Sequence, residues 1–285
     1  MRDSGDERPV VVGYDGSKPS ERALRWAVEE ARLRFVPLVV CHAWQWPYKT
    51  PPTSPDSLEA VRRMGQHVLD RGVSLARGLA PRLEVRPRLE TGSPSVVLMG
   101  ESGVADLVVV GRRGSGGFEE LQIGSTAVQL AAHAYCPVAV VKEQFRPRVD
   151  LVVVGVDGAA PERPELGLAF EEARLRKAPL RAICLGTEDT VGDGDIREVA
   201  AHFHRAVAVW EEKYPEVTVE TLVEEVSLVA ALQHAAEEAD VVIIGDRYRS
   251  DPVELPLGLV CQAVLRGAPS TVMVVASHRS ATSSR

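Results

Sequence analysis

The sequence predicts an α/β protein built as two tandem, doubly wound parallel five-stranded sheets. Three observations carry this expectation. Short apolar runs such as residues 10–12 and 107–110 lack polar alternation, as strands buried on both faces require. These runs alternate with amphipathic helical stretches, which right-handed crossovers wind into a parallel sheet covered on two sides. The third observation is an internal repeat. Val10-Val-Val-Gly-Tyr-Asp15-Gly and Val152-Val-Val-Gly-Val-Asp157-Gly each lead into a helix that continues as AVEEARLRFVPLVV or AFEEARLRKAPLRA. Asp15 and Asp157 lie 142 residues apart, whereas Asp106 and Asp240, Gly111 and Gly245, and Gly124 and Gly258 lie 134 apart. The chain is an internal duplication whose second copy is shorter by about one loop.

In copy one the strands are expected at about 9–14, 38–43, 83–89, 106–111 and 137–142. The intervening helices are expected at about 18–35, 57–80, 93–104 and 124–134. The first helix hands over to its strand through Pro37, and Cys136-Pro137 stops the last one, because proline cannot continue a helix. A chain of 285 residues suits two domains, expected at 1–146 and 147–285, with a linker at 144–150. The ends, 1–8 and 277–285, read as disordered.

Composition excludes several classes. The chain is 45% hydrophobic and 26% charged, ordinary for a globular protein. No apolar run approaches the ~20 residues of a membrane span, and the first eight residues are too polar for a signal peptide. The expectation is a cytoplasmic protein with no membrane partner. Cys41, Cys136, Cys184 and Cys261 are scattered without CxxC or zinc spacing and read as small buried hydrophobes. A net charge of −7 argues against nucleic acid as a partner. Residues 1–148 carry 20 Lys and Arg against 17 Asp and Glu, net +3, while residues 149–285 carry 13 against 23, net −10. A polyanion is better tolerated by the first half.

Residues 106–142 organise the chain. They read as strand, glycine-rich loop, helix and strand, with Gly111, Gly114, Gly116 and Gly117 following the strand directly. Glycine permits close backbone approach, so that N–H groups can converge on an anion. Gly124-Ser125-Thr126 then opens an alanine-rich helix, placing hydroxyls where the helix dipole favours negative charge. The physical reading is a phosphate cradle; the bland alternative is a plain strand-to-helix turn. A P-loop is excluded because no lysine lies in this loop, and a dinucleotide fingerprint fails where Glu119 replaces its third glycine.

The spacing Gly111-x2-Gly114-x9-Gly124-Ser125 matches the nucleotide loop of the ATP-binding universal stress proteins at every defined position, and the sequence resembles that family. The resemblance implies strand order 3-2-1-4-5, a Rossmann-like, adenine-nucleotide α-hydrolase-like arrangement, in which ligands bind beyond the carboxyl ends of strands 1 and 4. It also implies site residues. Gly13, Tyr14 and Asp15 end strand 1, with Asp15 meeting the adenosine or, on the plain reading, capping the next helix. Ala43 and Val110 match positions lining adenine; Gly111, Arg112 and Gly114 fall on the ribose and phosphate loop; Gly124, Ser125 and Thr126 form the phosphate turn. The implied ligand is ATP with Mg2+, and the implied role is a nucleotide-dependent sensor or regulator in stress response. Pairing of the two copies within one chain, a homodimer of whole chains and an unidentified protein partner follow from the same resemblance. Competing readings are a slow ATP hydrolase of the same fold, a ligand-free scaffold, and cyclic AMP as the ligand.

Copy two departs from the motif. Gly245-Asp-Arg-Tyr248-x9-Gly258-Leu259 keeps the spacing but replaces the second glycine by tyrosine and the serine by leucine, while Asp246 adds negative charge. One nucleotide site per chain is expected. Little resembles a dedicated catalyst: no GxSxG or HExxH occurs, and His202 and His204 diverge on their helix. His42, near the site, reads as packed and neutral rather than as a base. The proline-rich aromatic loop at 44–56 reads either as aromatics packed on the surface or as a lid over a base. Its counterpart at 186–195 is acidic and reads as a flexible loop without calcium-site spacing.

Overall fold

The computed structural model describes residues 7–48, 50–52, 54–114, 123–142, 150–156, 163–185, 196–224, 227–246, 255 and 257–276. Asp157, Tyr248, the acidic loop at 186–195, most of the linker and nearly all of both ends lie outside these residues. The chain divides into two compact units, Met1–Glu143 and Gln144–Arg285.

Unit one runs β1 (Val10–Gly13), α1 (Lys18–Arg34), β2 (Leu38–Trp44), α2 (Pro55–Leu79), β3 (Val85–Thr91), α3 (Pro94–Ser102), β4 (Leu107–Gly111), α4 (Ser125–His133) and β5 (Val138–Val141). All strand pairs are parallel, in the order β3-β2-β1-β4-β5. Two glycines show which face each helix covers. A Cβ added at Gly13 would meet Leu98 of α3, whereas the next residue, Tyr14, lays its ring on Gly72 of α2. Successive strand residues point to opposite faces, so α2 and α3 cover opposite sides of the sheet. A Cβ at Gly111 would meet Pro19, which places α1 on the α2 side.

Local sequence explains where the helices begin and end. Ser17 caps α1 by accepting the Ser20 N–H at 3.3 Å, and Phe35 closes it in the left-handed region at φ 57°. Helix α2 starts at Pro55, two residues before the expected position, because Ser54 and Ser57 form a capping box around it. The remaining boundaries of unit one fall within about two residues of expectation, the usual uncertainty of helix and strand ends.

Unit two repeats the plan: β6 (Val152–Val156), α5 (Pro164–Arg176), β7 (Leu180–Leu185), α6 (Ile196–Lys213), β8 (Val219–Glu224), α7 (Leu228–Ala235), β9 (Val241–Gly245), α8 (Leu259–Gly267) and β10 (Thr271–Val275). Its strands are parallel in the order β8-β7-β6-β9-β10, the same winding as unit one. Lys177 ends α5 at φ 54°, as Phe35 ends α1. Helix α6 packs on α5 through Trp210, which stacks on Phe170 at 6.2 Å and lies so close to Gly167 that a Cβ there would be 2.7 Å from the indole. Tyr214 extends the stack, and the Lys213 ammonium sits 4.7 Å from the Trp210 ring centre.

The repeated EEARLR segment has one structural purpose in each unit. Glu30 is buried within α1 and accepts from Arg34 at 2.8 Å, and Arg34 also reaches Asp106 before β4 at 2.6 Å. Glu172 and Arg176 form the corresponding buried pair on α5. Removing one partner of a buried pair strands the other charge. Arg34→Met, which takes the guanidinium away from the buried Glu30 carboxylate, is therefore expected to lose about 3 kcal/mol of unit-one stability in urea unfolding. A loss below about 1 kcal/mol would mean that the pair behaves like a surface bridge.

Candidate functional site

The carboxyl ends of β1 and β4 are neighbours, in register from Val10 opposite Leu107 to Val12 opposite Val109. Helices leave this edge on opposite faces, so a crevice opens between the two strands. Gly13 borders it without room for a side chain: its Cβ would be 2.8 Å from a Leu98 methyl and 3.4 Å from Val110. Gly13 and Val110, both expected at the site, follow the last paired residues of the β1–β4 ladder, Val12 and Val109.

Tyr14 donates its N–H to the Cys41 carbonyl at 2.9 Å and turns its side chain into the interior. The ring lies on Gly72, where a Cβ would be 2.6 Å from it, and burial holds the phenol pKa above its usual value. Only the main chain of Tyr14 faces the crevice edge. Its carbonyl lies 2.8 Å from His42 Nδ1. A carbonyl can only accept, so Nδ1 carries the proton and this bond fixes the orientation of the His42 ring. Ala43 follows it on β2, half-buried and opposite Glu90. Cys41 is buried and its thiol is pushed up to about 12, mainly by desolvation. All four cysteines are buried and none forms a disulfide, in keeping with their spacing.

Asp15 does not cap α1. Its Oδ1 accepts the Ser17 N–H at 3.0 Å across Gly16, whose φ is +79°, and its own N–H donates to Ser20 Oγ at 3.3 Å. The capping position belongs to Ser17 because an Asx turn through Gly16 moves the helix start two residues on. Asp15 is thereby oriented by the turn, with its other oxygen directed at the glycine loop. A Cβ at Gly114 would lie 2.8 Å from Asp15 Oδ2. Only glycine lets the loop after β4 approach this carboxylate so closely.

The rest of the loop is fixed by its main chain. Gly111 presses on the first turn of α1, where a Cβ would be 2.8 Å from the carbonyl carbon and oxygen of Pro19. The Arg112 N–H donates to the Val141 carbonyl at 3.1 Å, and the Arg112 carbonyl accepts the Gly124 N–H at 2.8 Å. Gly124 is the N-cap of α4, and no side chain caps this helix start. The N–H groups of Ser125 and Thr126, in the first turn, are thus suited to an anion. Residues 115–122, including Gly116 and Gly117, lie outside the described residues.

One cation at this edge was missed in the sequence. Lys142 follows β5 and is only 5% exposed. Desolvation first, and the Arg112 cation second, lower its pKa from 10.5 to about 8. A charged residue just past a buried strand was the available signal. Elsewhere at the edge, Trp46 donates Nε1–H to the Thr50 carbonyl at 2.6 Å and meets Tyr48 edge-on at 5.1 Å, so the aromatic loop packs on itself. Among the described residues no cluster of three or more His, Cys, Asp or Glu is placed to hold a metal ion. No described helix is long and apolar enough to cross a membrane.

The universal stress protein family model matches the chain twice, over residues 7–142 and 149–276. The chain belongs to this family. A universal stress protein of Mycolicibacterium smegmatis is 30% identical over 295 residues, spanning 96% of this chain and 99% of that protein. Another, from Mycobacterium tuberculosis, is 31% identical over 284 residues, spanning 96% and 98%. The crystal structure of a universal stress protein from Archaeoglobus fulgidus superposes with a TM-score of 0.75 at 17% identity, covering 94% of this chain and 98% of that one, a likeness of fold.

In the second universal stress protein unit the same frame carries different chemistry. The Asp246 N–H donates to the Val275 carbonyl at 2.9 Å and its carbonyl accepts the Gly258 N–H at 2.8 Å, as Arg112 does in unit one. Asp246 is buried, and Leu259, at the Ser125 position, is 55% exposed.

The depressed Lys142 pKa has a measurable consequence. Between about 8 and 10.5 the unfolded chain holds a proton that the folded chain has released. Its destabilising contribution is therefore full below about 8 and is relieved as pH rises towards 10.5. In urea unfolding, Lys142→Met is expected to exceed wild type at about pH 7, with the gap narrowing by about pH 9.5. A gap independent of pH would contradict this.

Proposed function

We propose that unit one binds ATP, with Mg2+, and that the protein is a nucleotide-dependent sensor or regulator in stress response with one site per chain. The observation that carries this reading is the convergence of Asp15, Gly114 and Gly124. The Asp15 Oδ2 lies 2.8 Å from where a Gly114 Cβ would be, and a Cβ at Gly124 would lie 3.4 to 3.9 Å from atoms of residues 112–114. This is a cradle of main chain and one carboxylate, shaped by the absence of side chains. The α4 start, with Ser125 and Thr126, would take the phosphates; Arg112 would offset their charge; Asp15 would hold the adenosine end, with Ala43 and Val110 beside the base.

On this reading, unit one at 1–146 is the working copy and unit two at 147–285 is degenerate. Tyr248 stands at the Gly114 position, Leu259 removes the hydroxyl, and Asp246 repels phosphate. The two units pair within the chain, whole chains form a homodimer, and the nucleotide state selects a protein partner in the cytoplasm. Binding rather than turnover is the activity proposed, since the sequence carries no GxSxG or HExxH motif.

The test is calorimetric titration of nucleotide-stripped protein with Mg-ATP, alongside Gly114→Tyr, which copies the second unit. One site per chain is expected, weakened more than about tenfold in the variant, with stoichiometric binding and no steady phosphate release. Two sites would restore unit two as a binder, and no binding by wild type would overturn the reading.

A further inference from the structure

We infer that the outer edge of β8 in unit two is a docking edge for an extended basic peptide, which adds to the sheet as a further strand. This edge belongs to the other unit from the nucleotide crevice, and the inference does not rest on nucleotide binding. Strand β8 is outermost in unit two and pairs on one side with β7, from Leu180 opposite Val219 to Leu185 opposite Glu224. The Leu180 N–H donates to the Thr218 carbonyl at 2.9 Å, which fixes the direction of every main-chain group along the strand. In a parallel ladder the residues of a strand alternate between its two sides. Thr218, Glu220, Leu222 and Glu224 therefore turn their N–H and carbonyl groups to β7. Val219, Thr221 and Val223 turn theirs outward, and among the described residues no strand pairs with that side. Such an edge is a template for another chain.

The first unit shows how this fold closes the same edge. Its counterpart strand is β3, where Val40 stands opposite Pro87 as Ala182 stands opposite Thr221 in unit two. The Leu38 N–H donates to the Glu84 carbonyl at 2.9 Å, so Val85, Pro87 and Leu89 are the outward residues of β3. Pro87 offers no N–H at the middle of that edge, and Arg86 and Arg88 flank it. Proline and charge together block strand addition. Unit two has Glu220, Thr221 and Leu222 at these three positions, and the block is gone. Charge then selects the occupant. Residues 216–224 hold three glutamates and neither lysine nor arginine. Arg181 on β7 is shared between Glu220 at 2.7 Å and Glu238 at 3.3 Å. Glu220, Leu222 and Glu224 lie on one face of β8, so an added strand fits with basic side chains beside the glutamates and an apolar one beside Leu222. A second copy of this chain fits poorly. Antiparallel pairing of two β8 strands about Leu222 would set Glu220 opposite Glu224, and β3 of a second copy carries Pro87 on its outer edge. The partner is a basic segment of another protein.

The experiment uses the full chain and two fluorescein-labelled peptides, read by anisotropy. One is centred on Arg-Val-Leu-Val-Arg, and its twin carries glutamate in place of arginine. Wild type is expected to bind the basic peptide about tenfold or more tightly than the acidic one, with the difference shrinking as salt is raised. Thr221→Pro copies unit one and removes an outward N–H without breaking a bond to β7. It is expected to weaken the basic peptide about tenfold or more. Glu224→Lys leaves the main chain intact and is expected to weaken the same peptide about fivefold. Thermal melts check that both variants are folded. Equal binding by wild type and folded Thr221→Pro would overturn strand addition. Equal binding of the two peptides, or no effect of Glu224→Lys, would overturn the basic partner. No binding of the basic peptide by wild type would overturn the inference outright, and self-association abolished by Thr221→Pro would then assign the edge to a second copy.

Discussion

The closeness of β4 to the first turn of α1 is the constraint on which unit one depends. Gly111 lies against the Pro19 carbonyl so tightly that a single methyl would be 2.8 Å from two backbone atoms. Neither side of that contact is a flexible side chain, so the strain could be relieved only by moving a helix or a strand. This packing sets the height at which the chain leaves β4, and hence where the glycine loop crosses the Asx turn of Asp15. From there the Arg112 carbonyl anchors Gly124 and the start of α4. The site is assembled by main-chain proximity first, with side chains added to a frame that already exists.

The duplication separates what the frame needs from what it can do without. Gly245 keeps the position of Gly111, and Gly258 keeps that of Gly124 with the same hydrogen bond to the residue after β9. Gly114 has no counterpart, since Tyr248 stands there. The first two glycines are architectural, as each answers to backbone within its own unit. The third answers to a carboxylate and to whatever lies beyond it. A repeat that conserves the first kind and loses the second has retained a fold and given up a surface.

Much of this was legible in the sequence. The winding followed from alternation and repeat length, and the joint position of Asp15 and the glycine loop followed from the doubly wound order. What escaped was set by contacts across elements. Tyr14 sits beside two residues expected at the site, yet Gly72, 58 positions along the chain, gives its ring a place in the interior. Asp15 resembled a helix cap because residue type alone does not reveal that Gly16 adopts a positive φ. Ser54 moved the start of α2 because a proline-rich loop hid a capping box. Lys142 was passed over because a charge after a strand usually faces water, and its burial is visible only in three dimensions.

The aromatic stack of unit two has an optical consequence. The chain has four tryptophans, Trp26, Trp44, Trp46 and Trp210, and unit two holds only the last. That indole rests on Phe170 and Tyr214 with an ammonium 4.7 Å from its ring centre, while Trp46 lies in a surface loop beside Tyr48. The two halves therefore carry different native fluorophores: one indole within an aromatic cluster, and three distributed over a unit that ends in a polar crevice. With three tryptophans replaced by phenylalanine, the remaining emission would belong to unit two alone. The melting of one repeat could then be followed in the presence of the other, without an attached label.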